Sequence, residues 1–190
     1  SYWRMSQEAL YRHYASVIHA TTLPVFAYNL PQNTGNNLDP ETVGKLYRQE
    51  GLAGAKDSCA VWENTKGYMD QVDEGFCMLV GEDTLCLEGL KYGSKGSISA
   101  PSNAYTYVMA AIYNRFVAGD LEGAQQAQDD WNFIIRRFNA VGAFPGSFKL
   151  TTSRLTSDVG PARAPVLPAD EAKLNELLPE LEAVAAKYRP

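Results

Sequence analysis

The sequence contains few cysteines and histidines. Three cysteines, Cys59, Cys77 and Cys86, and two histidines occur in 190 residues. An odd number of cysteines without metal-ligand spacing predicts neither a disulfide framework nor a metal site. We therefore expect free, buried thiols in a reducing cytoplasm. His13 and His19 lie on a predicted helix, where packing or surface roles are far more common than metal binding.

The sequence also lacks an excess of positive charge and any long apolar run. Lysine and arginine total 17 against 22 acidic residues, which gives a formal net charge of −5 and no basic footprint for nucleic acid. No run is apolar enough to span a bilayer and no signal peptide opens the chain, so we expect a cytoplasmic protein without a membrane segment. With 45% hydrophobic and 21% charged residues, the composition is ordinary for a globular protein.

One stretch organises the rest of the chain. It begins with an apolar run from Leu23 to Tyr28, which predicts a strand buried on both faces. A polar loop, a helix capped by Asp39 and a second strand ending at Lys56 follow. Parallel strands joined by a helix end at the same rim of a sheet, so the phenol and the amine should lie close together. A lysine there is either a solvated charge or a nucleophile, and taken alone the solvated state is more common.

Two more helix–strand units come next. The predicted helices cover about 59–72 and 84–91, and the predicted strands cover 76–80 and 96–100. Four strands separated by helices predict a parallel sheet. After Asn103 the pattern is entirely helical. These patterns predict two regions, residues 1–103 with βα units and residues 104–190 with helices packed against them.

Three motifs resemble one known family. They are YN-x-P-x-x-TG from Tyr28 to Gly35, DPET from Asp39 to Thr42 and G-x-KDS from Gly54 to Ser58. Together they resemble the dihydrodipicolinate synthase / N-acetylneuraminate lyase family, whose members are TIM (β/α)8 barrels that form a Schiff base between a lysine and pyruvate or a related 2-oxo acid. Tyr2 to Tyr14 resembles the segment after the fourth barrel strand. The resemblance therefore implies an α/β fold made of the C-terminal half of a barrel, strands five to eight, plus C-terminal helices.

The resemblance assigns catalytic roles to three residues. Lys56 is the nucleophile, which needs a neutral amine that burial favours, and Tyr28 shuttles protons during imine formation. Tyr2 aligns with a tyrosine that completes a proton relay across a subunit interface in some members, and it fits an aromatic packing contact equally well. The family's carboxylate-binding Thr-Thr loop belongs to the half outside this chain, so we expect little turnover by the chain alone.

Four further residues match substrate-binding positions of the family. Ser58 matches a position that often contacts a substrate hydroxyl or carboxylate, and Ile98 lies in the mouth of strand eight. Asp83 aligns with an acidic residue that binds sugar hydroxyls in sialate lyases, although it also fits a helix N-cap. Asn33 stands where dihydrodipicolinate synthases usually carry an arginine for the aldehyde's carboxylate. An amide cannot supply the bidentate charge pairing of a guanidinium.

Asn33 and the GAFPG…GPARAP run (Gly142–Gly146 and Gly160–Pro165) resemble the aldolases of the family. They favour a Schiff-base aldolase or lyase of the 4-hydroxy-2-oxoglutarate or 2-keto-3-deoxy sugar acid type. Two alternatives stay open. One is the 4-hydroxy-tetrahydrodipicolinate synthase of lysine biosynthesis with an unusual Asn33, and the other is a non-catalytic half-barrel whose exposed sheet edges seek a partner. The resemblance implies a small 2-oxo acid and an aldehyde as ligands and a homo-oligomer, dimer or tetramer. It implies no metal or organic cofactor, because the lysine itself is the electron sink.

Overall fold

The structure is a computed structural model that describes residues 3–189. The chain divides into two compact units, Ser1–Ile98 and Ser99–Pro190. The first unit contains four strands with helices between them, and the regular structure of the second is helical. Within residues 3–189, no helix combines the length and the apolar character that crossing a membrane requires.

Helices separate the strands of the first unit, as the sequence predicts, and a one-turn helix, α2, lies in the polar loop predicted after the first strand. Their bounds are α1 Gln7–His19, β1 Phe26–Asn29, α2 Pro31–Thr34, α3 Pro40–Glu50, β2 Gly54–Asp57, α4 Trp62–Asp70, β3 Cys77–Val80, α5 Cys86–Tyr92 and β4 Gly96–Ser97. A 3-10 turn at Asp83–Leu85 precedes α5. Helix starts follow the local sequence signals: the Ser6 hydroxyl accepts from Ala9 N–H at 3.2 Å, and Pro40 opens α3.

The four strands form one parallel sheet in the order β1-β2-β3-β4, which confirms the predicted α/β fold with a parallel sheet. The register pairs Tyr28 with Lys56 and Lys56 with Leu79. Register partners in neighbouring strands point to the same side of a sheet. Tyr28 and Lys56 therefore share one face, which we call the open face, and Asn29 and Asp57 share the other.

The hydrophobic core of the first unit lies on the face opposite the open face. Its buried members are Ala27, Leu38, Val43, Leu46, Leu52, Ala55, Tyr68, Phe76 and Met78. Leu10, Tyr14 and Ile18 recur at helical spacing along α1 and pack against this core. Val17 lies beside Ile18 in the same helix but is exposed.

The first strand differs from its prediction in length and in burial. It begins at Phe26 rather than at Leu23, which is exposed. The prediction of burial on both faces was wrong, because Phe26 and Tyr28 are 43% and 48% exposed while Ala27 is buried. The core and the α1 side chains that pack against it cover only the Ala27 face, so alternate side chains of the strand stay accessible.

The second unit contains four helices followed by a 3-10 turn. Their bounds are α6 Ser102–Val117, α7 Leu121–Val141, α8 Gly146–Leu155, α9 Glu171–Ala185 and the turn Ala186–Tyr188. Asp120 caps α7 by accepting from Gly123 N–H at 2.9 Å. The largest fully buried side chains of the second unit include Tyr105, Trp131, Ile134, Phe138, Leu174 and Leu181.

Candidate active site

Tyr28 and Lys56 lie side by side at the carboxyl ends of β1 and β2. They are register partners, and Lys56 Nζ lies 4.4 Å from the centroid of the Tyr28 ring. An ammonium at this distance over an aromatic ring makes a cation–π contact. The structure thus brings together the phenol and the amine that the strand–helix–strand pattern placed at one rim.

The residues that precede this pair in the two strands belong to the core of the first unit. Ala27 and Ala55, which precede the two residues, are both buried in the core. Tyr28 is exposed and Lys56 is half-buried, so both side chains are accessible from the open face. The core of the first unit therefore lies on the side of the sheet away from both side chains.

Gly81, directly after β3, lies against the aliphatic part of Lys56. A Cβ atom on residue 81 would lie 2.6 Å from Lys56 Cε and 2.0 Å from Ser58 Oγ. The Gly81 N–H donates to Asp57 O at 2.7 Å, which holds this close approach in place. Ser58 is buried, and its hydroxyl has no hydrogen-bond partner among residues 3–189. Ser58 Oγ and Lys56 Cε therefore both occupy the space that a side chain on residue 81 would need.

The loops after β1 and β2 are joined beside the pair. Ser58 N–H donates to Asn29 O at 2.9 Å, and Gln32 Nε2 donates to Ser58 O at 2.6 Å. On the core side, Asn29 Nδ2 donates to Asp57 Oδ1 at 2.9 Å. Asn29, Asp57 and Gly81 were given no role from the sequence. The available signal was that Asn29 and Asp57 belong to the YN and KDS motifs and directly follow Tyr28 and Lys56.

The other predicted site residues lie on the segments that follow the strands. Asn33 is exposed on the one-turn helix α2, after β1. Asp83 is half-buried and opens the 3-10 turn after β3, while the N-cap of that turn is Glu82. Ile98 follows β4, is 50% exposed and donates its N–H to Val80 O at 3.0 Å. Tyr2 lies outside the described residues.

The thiols are free, as expected, but only Cys86 is fully buried; Cys59 and Cys77 are half-buried. Cys59 Sγ lies 3.1 Å from Asp57 Oδ2, to which it donates. Burial, together with the neighbouring Asp57 carboxylate, raises the pKa of the Cys59 thiol from 9.0 to about 11. This thiol is a hydrogen-bond donor near the pair and a poor nucleophile.

Solved structures share this fold over nearly the whole chain. The crystal structure of YagE, a prophage protein of the dihydrodipicolinic acid synthase family from E. coli K12 in complex with pyruvate, matches with a TM-score of 0.87 and 25% identity, over 99% of this chain and 64% of that one. A 2-keto-3-deoxygluconate aldolase variant from Sulfolobus solfataricus matches with a TM-score of 0.84 and 24% identity, over 98% of this chain and 62% of that one. The second likeness concerns the fold alone.

Curated relatives and a family-wide sequence comparison agree with this likeness. The 4-hydroxy-tetrahydrodipicolinate synthase of Syntrophus aciditrophicus (strain SB) is 34% identical over 128 residues, 67% of this chain and 44% of the relative. That of Anaeromyxobacter dehalogenans (strain 2CP-1 / ATCC BAA-258) is 33% identical over 180 residues, 93% of this chain and 60% of the relative. The matches thus span 44% to 60% of the length of these relatives. Residues 1–184 match the Dihydrodipicolinate synthetase family, and the chain belongs to that family.

Proposed function

We propose that this chain carries the Schiff-base lysine of a class I aldolase or lyase that acts on pyruvate or a pyruvate-derived 2-oxo acid. The observation that carries the proposal is the contact of Lys56 Nζ with the Tyr28 ring, 4.4 Å from its centroid, on an accessible face of the sheet. Family membership supports it. So does the E. coli neighbour, whose structure was solved in complex with pyruvate.

In the proposed reaction the neutral amine of Lys56 attacks the ketone carbon of the 2-oxo acid and forms a C–N bond. The ketone oxygen takes up a proton to give a carbinolamine, which then loses water and leaves a protonated imine. The imine withdraws electrons from the adjacent carbon, which can lose a proton or a carbon partner. Tyr28, which is in contact with the amine, is the proposed group that delivers and recovers protons at the oxygen.

Ser58 is the proposed first contact for the substrate's carboxylate or hydroxyl. Leaving a buried hydroxyl without a partner costs roughly 1–3 kcal/mol, so a ligand that supplies an acceptor there would recover this energy. Asn33, Asp83 and Ile98, on the segments that follow the strands, are proposed to contact the rest of the substrate. The relay role of Tyr2 stays a prediction.

The four strands are proposed to be strands five to eight of a (β/α)8 barrel. Two observations support this correspondence: the chain covers 64% of the E. coli neighbour's chain, and β1 and β4 are the outer strands of an open sheet. The outer strands would pair with the first four strands of a complete barrel. In this proposal residues 1–103 carry the site, residues 104–190 are an accessory helical region, and the complete protein is a homo-oligomer located in the cytoplasm.

The favoured substrates are 4-hydroxy-2-oxoglutarate and 2-keto-3-deoxy sugar acids. Asn33 lacks the guanidinium that the synthases usually carry there, and the P-x-NTG and GAFPG…GPARAP patterns resemble those of the aldolases. The names of the curated relatives favour a second candidate, 4-hydroxy-tetrahydrodipicolinate synthase. Asn33→Arg discriminates between them in the chain with the N-terminal half supplied. Pyruvate release from 2-keto-3-deoxy sugar acids is compared with condensation of pyruvate onto a carboxylated aldehyde larger than glyoxylate, because glyoxylate is itself a cleavage product of 4-hydroxy-2-oxoglutarate. For an aldolase we expect the variant to gain condensation and the wild type to release pyruvate, whereas condensation by the wild type would favour the synthase.

The test of the proposal is trapping with borohydride. The chain is mixed with pyruvate, reduced and digested, and mass spectrometry locates the adduct; the sample is repeated with the N-terminal half of the barrel supplied. We expect an adduct on Lys56 that is absent from Lys56→Arg and retained in Lys66→Arg. Lys66 is a matched control because its Nζ also lies over a tyrosine ring, 4.8 Å from the centroid of Tyr92. No adduct in either sample would refute the catalytic role of Lys56 and leave the non-catalytic half-barrel.

A further inference from the structure

A buried carboxylate lies directly beneath the Tyr28–Lys56 pair. Asp57 follows Lys56 in β2, so its side chain points to the opposite, core-facing side of the sheet, where it is 0% exposed. Its two oxygens accept from Asn29 Nδ2 at 2.9 Å, Cys59 N at 3.1 Å, Cys59 Sγ at 3.1 Å, Asn64 Nδ2 at 3.1 Å and Thr65 Oγ1 at 2.7 Å. All these donors are neutral. A buried charge is tolerated where several such donors satisfy it.

One of these hydrogen bonds, from Asn29 to Asp57, joins β1 and β2 one residue beyond the Tyr28–Lys56 pair. Asn29 and Asp57 are register partners, as are Tyr28 and Lys56 immediately before them. The Asn29–Asp57 bond therefore fixes how β1 and β2 end relative to each other. A change in this bond would alter the direction in which Tyr28 and Lys56 leave the sheet.

The network continues from Asn29 into the following loop. Asn29 Oδ1 accepts from Leu38 N–H at 3.0 Å, and Asn29 Nδ2 also donates to Asn37 Oδ1 at 2.9 Å. Asn37 Nδ2 in turn donates to Asn64 Oδ1 at 3.1 Å and to Asp39 Oδ1 at 3.0 Å. The ends of β1 and β2 are thus tied to the starts of α3 and α4.

We propose that Asp57 is a positioning residue for the Schiff-base pair. It points away from the open face and acts through Asn29, which follows Tyr28 in β1. Asn64 and Thr65 of α4 hold the Asp57 side chain that accepts from Asn29. A network in which donors from Asn29, Cys59, Asn64 and Thr65 meet at one buried carboxylate is sensitive to the loss of that carboxylate. This inference rests on the proposed function, because it assumes that the pair forms an imine.

The test compares two buried Asp→Asn variants under the condition in which the wild type forms an adduct. Asp57→Asn keeps the shape of the side chain but replaces one acceptor oxygen with a donor. Asp130→Asn makes the same change in the second unit, where Asp130 is buried in α7. For each variant, circular dichroism gives the folded fraction, and borohydride trapping gives the rate of adduct formation on Lys56 over a series of pyruvate concentrations.

For Asp57→Asn we expect the rate per folded molecule at saturating pyruvate to fall roughly tenfold or more, because small misplacements of reacting groups slow a reaction strongly. The half-saturating pyruvate concentration should change less than the rate. Asp130→Asn should keep the wild-type rate within about twofold, because Asp130 belongs to the second unit and its carboxylate accepts from Lys187 and Tyr188. A purely structural role for Asp57 would lower the folded fraction without changing the rate per folded molecule.

Thr65→Val provides the test if Asp57→Asn does not fold. It removes only the bond at 2.7 Å to Asp57 Oδ2 and keeps the shape of the side chain, and we expect a smaller but measurable slowing. Wild-type rates in the folded variants would refute the positioning role and leave the proposed function intact. Failure of the wild type to form an adduct, with the N-terminal half supplied, would refute the proposed function and this inference together.

Discussion

The Lys56 side chain fits against Gly81 only because residue 81 has no side chain: a Cβ atom there would lie 2.6 Å from Lys56 Cε. The same atom would lie 2.0 Å from Ser58 Oγ and 3.0 Å from Asp57 O. Glycine at this position is therefore required by close approach between β3 and the end of β2. The proposed nucleophile depends on a neighbour that has no side chain.

Gly81→Ala should displace the Lys56 side chain and slow imine formation. The added methyl group cannot be accommodated without moving Ser58 Oγ and Lys56 Cε together, so we expect trapping of pyruvate on Lys56 to fall roughly tenfold or more. The measurement is the rate of borohydride-trapped adduct per folded molecule. Gly146→Ala is the control, because its nearest atom, Leu167 O, would lie 3.3 Å away in the second unit. An unchanged rate in Gly81→Ala would contradict the close approach.

Tyr28→Phe should slow imine formation without unfolding the protein. Removal of the phenol takes away the proposed proton shuttle, and such groups contribute typically about 10²–10⁴-fold. The ring that contacts Lys56 remains, and the side chain is 48% exposed, so stability should change little. The amount of adduct reduced by borohydride at fixed times gives the rate of imine formation, and urea unfolding gives the free energy of unfolding. Tyr113→Phe, in a tyrosine that is 44% exposed in α6, should leave the rate unchanged. Equal rates in both variants would remove Tyr28 from the mechanism.

Cys59 should react slowly with iodoacetamide in the folded protein. Burial and Asp57 raise the pKa of the thiol to about 11, so at pH 8 it holds roughly a hundredfold less thiolate than a cysteine with a pKa of 9.0. The alkylation rate should rise about tenfold per pH unit and level off near pH 11. Mass spectrometry of the Cys59 peptide follows the reaction, with the urea-unfolded chain as reference. Equally fast alkylation of the folded and unfolded chains would contradict the raised pKa of this thiol, with both of its causes, burial and Asp57.

The sequence contains enough information for the order of elements and for the Tyr28–Lys56 contact. Apolar runs and turn residues are local signals, and parallel strands joined by helices bring their carboxyl ends to one rim. Burial of β1 could not be read in the same way, because it depends on what covers each face. Phe26 and Tyr28 are as apolar or aromatic as a doubly buried strand requires, yet the core lies only on the Ala27 side.

The polar network and the role of Gly81 could not be predicted from local patterns. The Asn29–Asp57 bond joins residues 28 positions apart. Asn37 and Asn64, which bond to each other in the same network, are ordinary loop and helix residues in the sequence. A glycine that follows a strand normally indicates a turn. Only the packing of Lys56 and Ser58 against Gly81 reveals that the absence of a side chain is what matters.

Asp130 should anchor the end of the chain to α7. Its carboxylate accepts from Lys187 Nζ at 3.1 Å and from Tyr188 Oη at 2.5 Å, and burial together with this carboxylate raises the pKa of the Tyr188 phenol. Asp130→Asn removes the charge that both donors share, so we expect a loss of about 1–2 kcal/mol in the free energy of unfolding. Hydrogen exchange at residues 186–189 should increase in step with this loss.

The neighbouring Asp129 separates this anchor from general effects of charge on α7. Asp129 is exposed and accepts from Gln125 Nε2 at 3.0 Å, so Asp129→Asn makes the same chemical change one residue away. Exposed polar contacts contribute little, and this variant should unfold within about 0.5 kcal/mol of the wild type. If both variants lose the same stability, the effect comes from the net charge of the helix and not from the bonds to Lys187 and Tyr188. If only Asp130→Asn loosens residues 186–189, those bonds hold the end of the chain in place.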